Sequence, residues 1–193
     1  DDSISSQDLA KIINDSYSTF TSSEITPLRK LDQNQYLLEL FHGPTFAFKD
    51  LAMQFIGNIM NLYLSRHKRQ INILGATSGD TGAAAIEGFK NVDNVNIFIL
   101  HPHNKISKVQ KKFMTTVVSE NVYNIAIKGT FDDCQNIIKT AFSDLEFKKN
   151  NNLRGFYNPS NKTISIEENT FEISFKGFHN ASNFLFAYAV AKE

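Results

Sequence analysis

Between Ile71 and Phe147 the hydrophobic pattern changes period repeatedly. The aliphatic runs Ile71–Ala76, Val95–Leu100 and Val122–Ile127 have strand length and composition, and each is followed by residues whose apolar positions recur every three or four. These following stretches, at 82–89, 107–118 and 132–147, are predicted helices. Strands that alternate with helices must be joined by right-handed crossovers, which makes the sheet mainly parallel and covers it with helices on both faces. The predicted fold is therefore α/β, in three layers. Upstream, Leu9, Ile12, Ile13, Tyr17 and Phe20 predict a helix over 6–20 with Ser5 or Ser6 as its cap. A strand over 36–41, the loop His42–Thr45 and a helix over 48–66, closed by the basic residues Arg66–Arg69, follow. Beyond the polar run at 148–152 the alternation stops, and 163–166 with 171–175 read as a hairpin around the turn 167–170, followed by a helix from Asn180. Three segments are expected: 1–45 (helix, strand and loop), 46–150 (the α/β domain) and 151–193 (a divergent end).

Composition narrows the function. With 193 residues, 41% of them hydrophobic, the chain has material for one sizeable core. Twenty basic and twenty acidic residues cancel, so no bulk charge draws it to nucleic acid or to an anionic membrane, and any anion specificity must be local. A single cysteine, Cys134, excludes an internal disulfide framework and a Cys-only zinc site. Apolar runs such as Ile97–Leu100 are far shorter than a membrane span needs, and no export signal stands at the first residues. The expectation is a soluble, cytoplasmic protein with a small-molecule substrate; oligomeric state is not legible.

Three segments that follow strands carry candidate chemistry. In Leu74-Gly-Ala-Thr-Ser-Gly-Asp-Thr-Gly-Ala-Ala-Ala85 a strand runs through a small-residue turn into an alanine-rich helix, so backbone N–H groups and the helix dipole converge. Thr77, Ser78, Gly79, Asp80 and Thr81 then form an anion-binding loop, with hydroxyl donors and glycines that allow close approach; the alternative is a plain helix entry. The spacing matches neither a Walker A loop nor a dinucleotide fingerprint. In Leu40-Phe-His-Gly-Pro-Thr-Phe-Ala-Phe-Lys-Asp50, Lys49 stands at a helix start among aromatics, a setting that favours a neutral, nucleophilic amine if the residue is buried, and an ordinary surface lysine if it is not. In His101-Pro-His-Asn-Lys-Ile-Ser107, Lys105 and the N-cap candidate Ser107 form a second possible anion contact, while the two histidines lack neighbouring ligands for a metal. Cys134 follows Asp132 and Asp133, whose charges raise a thiol's pKa, and is read as a packed thiol.

In this order and spacing, HGPTFAFKD, ATSGDTGAAA, the 100–110 region and Asp132-Asp133-Cys134 resemble the threonine synthase family of fold type II pyridoxal-phosphate enzymes, over about residues 23–152. The resemblance implies that Lys49 carries pyridoxal 5'-phosphate, that Phe48 and Asp80 lie against the cofactor, and that Thr77, Ser78, Gly79, Asp80 and Thr81 grip the carboxylate or phosphate of O-phospho-L-homoserine. Lys105 and Ser107 are assigned to the substrate phosphate on chemical grounds. The implied reaction converts O-phospho-L-homoserine and water to L-threonine and phosphate, with Lys49 moving protons. The family continues into a large second half that supplies the cradle for the cofactor phosphate, which 153–193 does not resemble, so the chain is read as an incomplete copy. Two other readings stand beside this one. A catalytically silent fragment would bind a partner; another fold type II lyase, such as a dehydratase, usually has asparagine where Asp80 stands.

Overall fold

The structure, a computed structural model, describes residues 4–150, 156–158, 163–166 and 169–172. The chain forms two units, 1–134 and 135–193.

In the first unit, helix α1 spans Ser6–Tyr17, and the Ser5 hydroxyl accepts the Asp8 N–H at 3.1 Å as its N-cap. A hairpin of β1 (Leu28–Asp32) and β2 (Gln35–Leu38) follows, then helix α2 (Asp50–His67), which ends where Lys68 takes a left-handed conformation at φ 50°. Strand β3 (Ile71–Ala76), helix α3 (Asp80–Phe89), strand β4 (Val95–Pro102), helix α4 (Lys108–Thr115) and strand β5 (Val122–Ile127) complete the alternation. Strand order is β3-β4-β5, and both pairings are parallel, with Ile71 opposite Val95 and Ile97 opposite Val122. This is the predicted parallel α/β sheet.

Burial is deepest where α3 meets β4. Ile86, Phe89 and Ile97 expose no surface, and each such side chain contributes about 2 kcal/mol of transfer free energy. Helices α2 and α3 approach so closely that a Cβ on Gly57 would run into the Gly88 carbonyl, which explains why small residues face each other there. Asn121 fixes the entry to β5 by donating to the carbonyls of Phe89 and Val95, each at 2.8 Å.

Several expectations are corrected. The strand predicted at 36–41 is the second arm of a hairpin whose first arm, Leu28–Asp32, was hidden by the charges of Arg29, Lys30 and Asp32; every residue of both arms is exposed. On β5, Tyr123 and Ile125, two residues apart and so on one face, remain exposed. The helix predicted at 107–118 stops at Thr115. The one predicted at 132–147 divides into Phe131–Ser143 (α5) and Leu145–Asn150 (α6), because the Asp144 carboxylate accepts the Phe147 N–H at 2.9 Å and starts a new helix.

The second unit holds an antiparallel sheet of β6 (Phe156–Asn158), β7 (Thr163–Ile166) and β8 (Asn169–Glu172) in that order. Ile166 pairs with Asn169 and Ser165 with Thr170, so Asn169 and Thr170, expected in the turn, belong to the ladder. Residues 173–175 and the helix predicted from Asn180 lie outside the described residues.

Candidate active site

The segment leading to Lys49 is held by a buried carboxylate. Asp50, at the start of α2, exposes no surface; its Oδ2 accepts the Thr45 N–H at 2.8 Å and its Oδ1 accepts the Thr45 hydroxyl at 2.6 Å. Gly43 rests against the same carboxylate, where a Cβ would collide with it. Phe46, next along, adopts φ 59°. Burial pushes the Asp50 carboxyl above its ordinary value of 3.8, while the Thr45 hydrogen bonds pull the other way. Upstream, His42 is fixed from two sides, with Nδ1 3.0 Å from the Thr21 hydroxyl and Nε2 2.8 Å from Glu39.

Lys49 itself is the N-cap residue of α2 and is half-buried, with its Nζ 4.6 Å from the centre of the Phe48 ring. The aromatics beside it do not enclose it. Phe46 and Phe48 are 62% and 60% exposed, so between the two settings left open by the sequence Lys49 is half-buried with its flanking aromatics open to solvent. No carboxylate pairs with the Lys49 ammonium among the described residues.

The second loop is pinned from below. Thr77 is 2% exposed, and its hydroxyl oxygen accepts the N–H groups of Gly79 at 3.0 Å and Gly82 at 2.9 Å. Its own N–H donates to the Leu100 carbonyl on β4 at 3.0 Å. Gly79 has φ 147°, a region glycine favours. Of the N–H groups that the helix cannot satisfy internally, those of Gly79 and Gly82 are thus used, which leaves those of the exposed residues Asp80 and Thr81. Ser78, Asp80 and Thr81 are exposed.

Helix α4 joins the two loops. The Gln110 side chain donates to Asp80 Oδ1, and one turn further Phe113 meets Phe46 edge to face with centroids 6.0 Å apart. Positions three apart lie on one helix face, so both loops lean on the same side of α4. Ser107 is the N-cap of this helix, accepting the Gln110 N–H at 3.2 Å. Lys105 is exposed, and its charge reaches Asp133, whose carboxyl is held below its usual range chiefly by hydrogen bonds from the Thr130 N–H and hydroxyl. Cys134 is buried, and burial first, then the Asp133 charge, raises its pKa, which agrees with the packed thiol expected. Among the described residues no cluster suits a metal ion.

Curated threonine synthases align with this chain: that of Pseudomonas aeruginosa is 50% identical over 151 residues, covering 78% of the chain and 32% of the relative, and that of Saccharomyces cerevisiae is 45% identical over 188 residues, covering 91% and 36%. The chain is a partial homologue of threonine synthase. The solved, pyridoxal-phosphate-bound threonine synthase of Brucella melitensis superposes with a TM-score of 0.73 at 46% identity, over 76% of this chain and 32% of that one, and the yeast enzyme does so at 0.67 and 48%, over 71% and 29%. No protein-family model matches. The chain spans about a third of the length of the threonine synthases it matches, and the likeness covers more of it than the two thirds read from motifs. At these identities the fold is that of the type II pyridoxal-phosphate enzymes.

Two residues that shape the site escaped the sequence reading. Asp50 stands in the sequence only as the neighbour of Lys49, and its two bonds to Thr45 become visible once the loop is folded. Gln110 carried no signal at all, since only the fold brings it to Asp80.

Proposed function

We propose that this chain provides the lysine-bearing and anion-binding part of a threonine synthase, the enzyme that converts O-phospho-L-homoserine and water to L-threonine and phosphate with pyridoxal 5'-phosphate. The observation that carries the reading is the convergence on α4 of the Lys49 segment, through Phe46 and Phe113, and of the Thr77–Thr81 loop, through Asp80 and Gln110. The fit to the cofactor rests on Lys49, an amine with no carboxylate partner among the described residues and an apolar neighbour in Phe48. When bound, pyridoxal phosphate supplies an electron sink for proton loss from the substrate's carbon skeleton and departure of its phosphate.

The chain's own groups then have distinct tasks. Lys49 Nζ holds the cofactor and, once released, takes and returns protons at the substrate carbons. The Asp80 and Thr81 N–H groups and the Ser78 hydroxyl bind an anionic group of the substrate at the positive end of α3. Phe48 shields one side of the lysine, and Asp80 borders the cofactor. Lys105 and Ser107 are candidates for the substrate phosphate. Asp50 and Thr45 keep the lysine segment in place.

Phosphate release from O-phospho-L-homoserine, measured with the cofactor present, tests the reading. Release above the blank that Lys49→Ala abolishes supports it. A folded chain that stays at the blank rate supports the other reading, a catalytically silent piece that works only with a partner. Asp80, where dehydratases of this fold usually have asparagine, favours threonine synthase over that class.

A further inference from the structure

Asp80 poses a physical problem for an anion site. A carboxylate in the first turn of a helix is the natural counter-charge of the helix's positive end, and it competes with an incoming anion for the same N–H groups. Here its Oδ1 is bonded to the Gln110 side-chain amide on α4. The same carboxamide lies against Gly79, where any Cβ would strike it, so Gln110 faces the loop at two successive residues. Gln110 is itself fixed, because its N–H is capped by the Ser107 hydroxyl at 3.2 Å.

We propose that Gln110 is a positioning residue that holds the Asp80 carboxylate away from the start of α3, so that the N–H groups of Asp80 and Thr81 stay open to the substrate's anionic group. The inference rests on the reading of Thr77–Thr81 as the substrate loop. It also gives Ser107 a task, since the cap that orders the first turn of α4 orders Gln110.

The probe is inorganic phosphate, titrated into the full chain without cofactor while the amide resonances of Ser78, Asp80 and Thr81 are followed. In the unsubstituted chain these three amides shift and saturate. Gln110→Met, close in size but without the donor, weakens binding about tenfold, the worth of one hydrogen bond to a charged group. Gln110→Glu, which sets a second carboxylate against the first, weakens it at least as much. In an Asp80→Asn background the competing charge is gone, and Gln110→Met then changes affinity less than twofold. An equal loss in both backgrounds, or no loss in either, overturns the proposal and leaves the substrate loop standing. Absence of any phosphate-dependent shift in the unsubstituted chain overturns the loop reading and this proposal with it.

Discussion

The loop before Lys49 and the loop before α3 are each pinned by one buried side chain that takes two hydrogen bonds, yet the pins differ in charge. Asp50 holds Thr45 with a carboxylate, whereas Thr77 holds Gly79 and Gly82 with a neutral hydroxyl. A buried carboxylate costs more to desolvate and leaves more unpaired when it is lost; a hydroxyl is cheaper and does not titrate. The lysine segment, whose aromatics are exposed, therefore depends on one strong internal contact. The loop before α3 is also backed by the deeply buried α3–β4 contact.

The largest effect is expected at the charged pin. Asp50→Ala leaves the Thr45 N–H and hydroxyl without their acceptor and should cost about 3 kcal/mol, read from the midpoint of denaturant unfolding. At the neutral pin Thr77→Val, which keeps shape and removes the oxygen, should cost about 2 kcal/mol, and Thr77→Ser distinctly less. If Thr77→Val matched or exceeded Asp50→Ala, the ranking by charge would be wrong.

The smallest effect separates the pins by pH. Because burial raises the Asp50 pKa above 3.8, the folded chain holds that proton more tightly than the unfolded one. The Asp50 contribution is then most favourable below 3.8 and declines as pH rises through the raised value. Comparing stability against pH for the unsubstituted chain and Asp50→Asn should show that decline only in the former, and Thr77→Ser should leave it unchanged.

Which features were legible follows from the range of the forces involved. The parallel strands at 71–76 and 122–127 were predicted to the residue, because buried strands advertise themselves as continuous aliphatic runs. The hairpin Leu28–Leu38 was half missed, since both its arms are exposed and no burial imposed alternation on them. The Asp32-Gln33-Asn34 turn was the available sign. In the site, the strand-to-helix turn at Thr77–Thr81 was readable as local sequence, while its anion binding belongs to the proposed function. The Asp80–Gln110 and Phe46–Phe113 contacts were not, because they join residues 30 and more apart through the fold.

The central claim is that Lys49 is the group by which this chain holds pyridoxal phosphate. Titrating the chain with the cofactor and recording absorbance tests it most directly. The account predicts a visible band from lysine-bound cofactor that is present in the unsubstituted chain and lost in Lys49→Ala with the fold retained. A band that persists unchanged in Lys49→Ala, or no band in the unsubstituted chain, would contradict it.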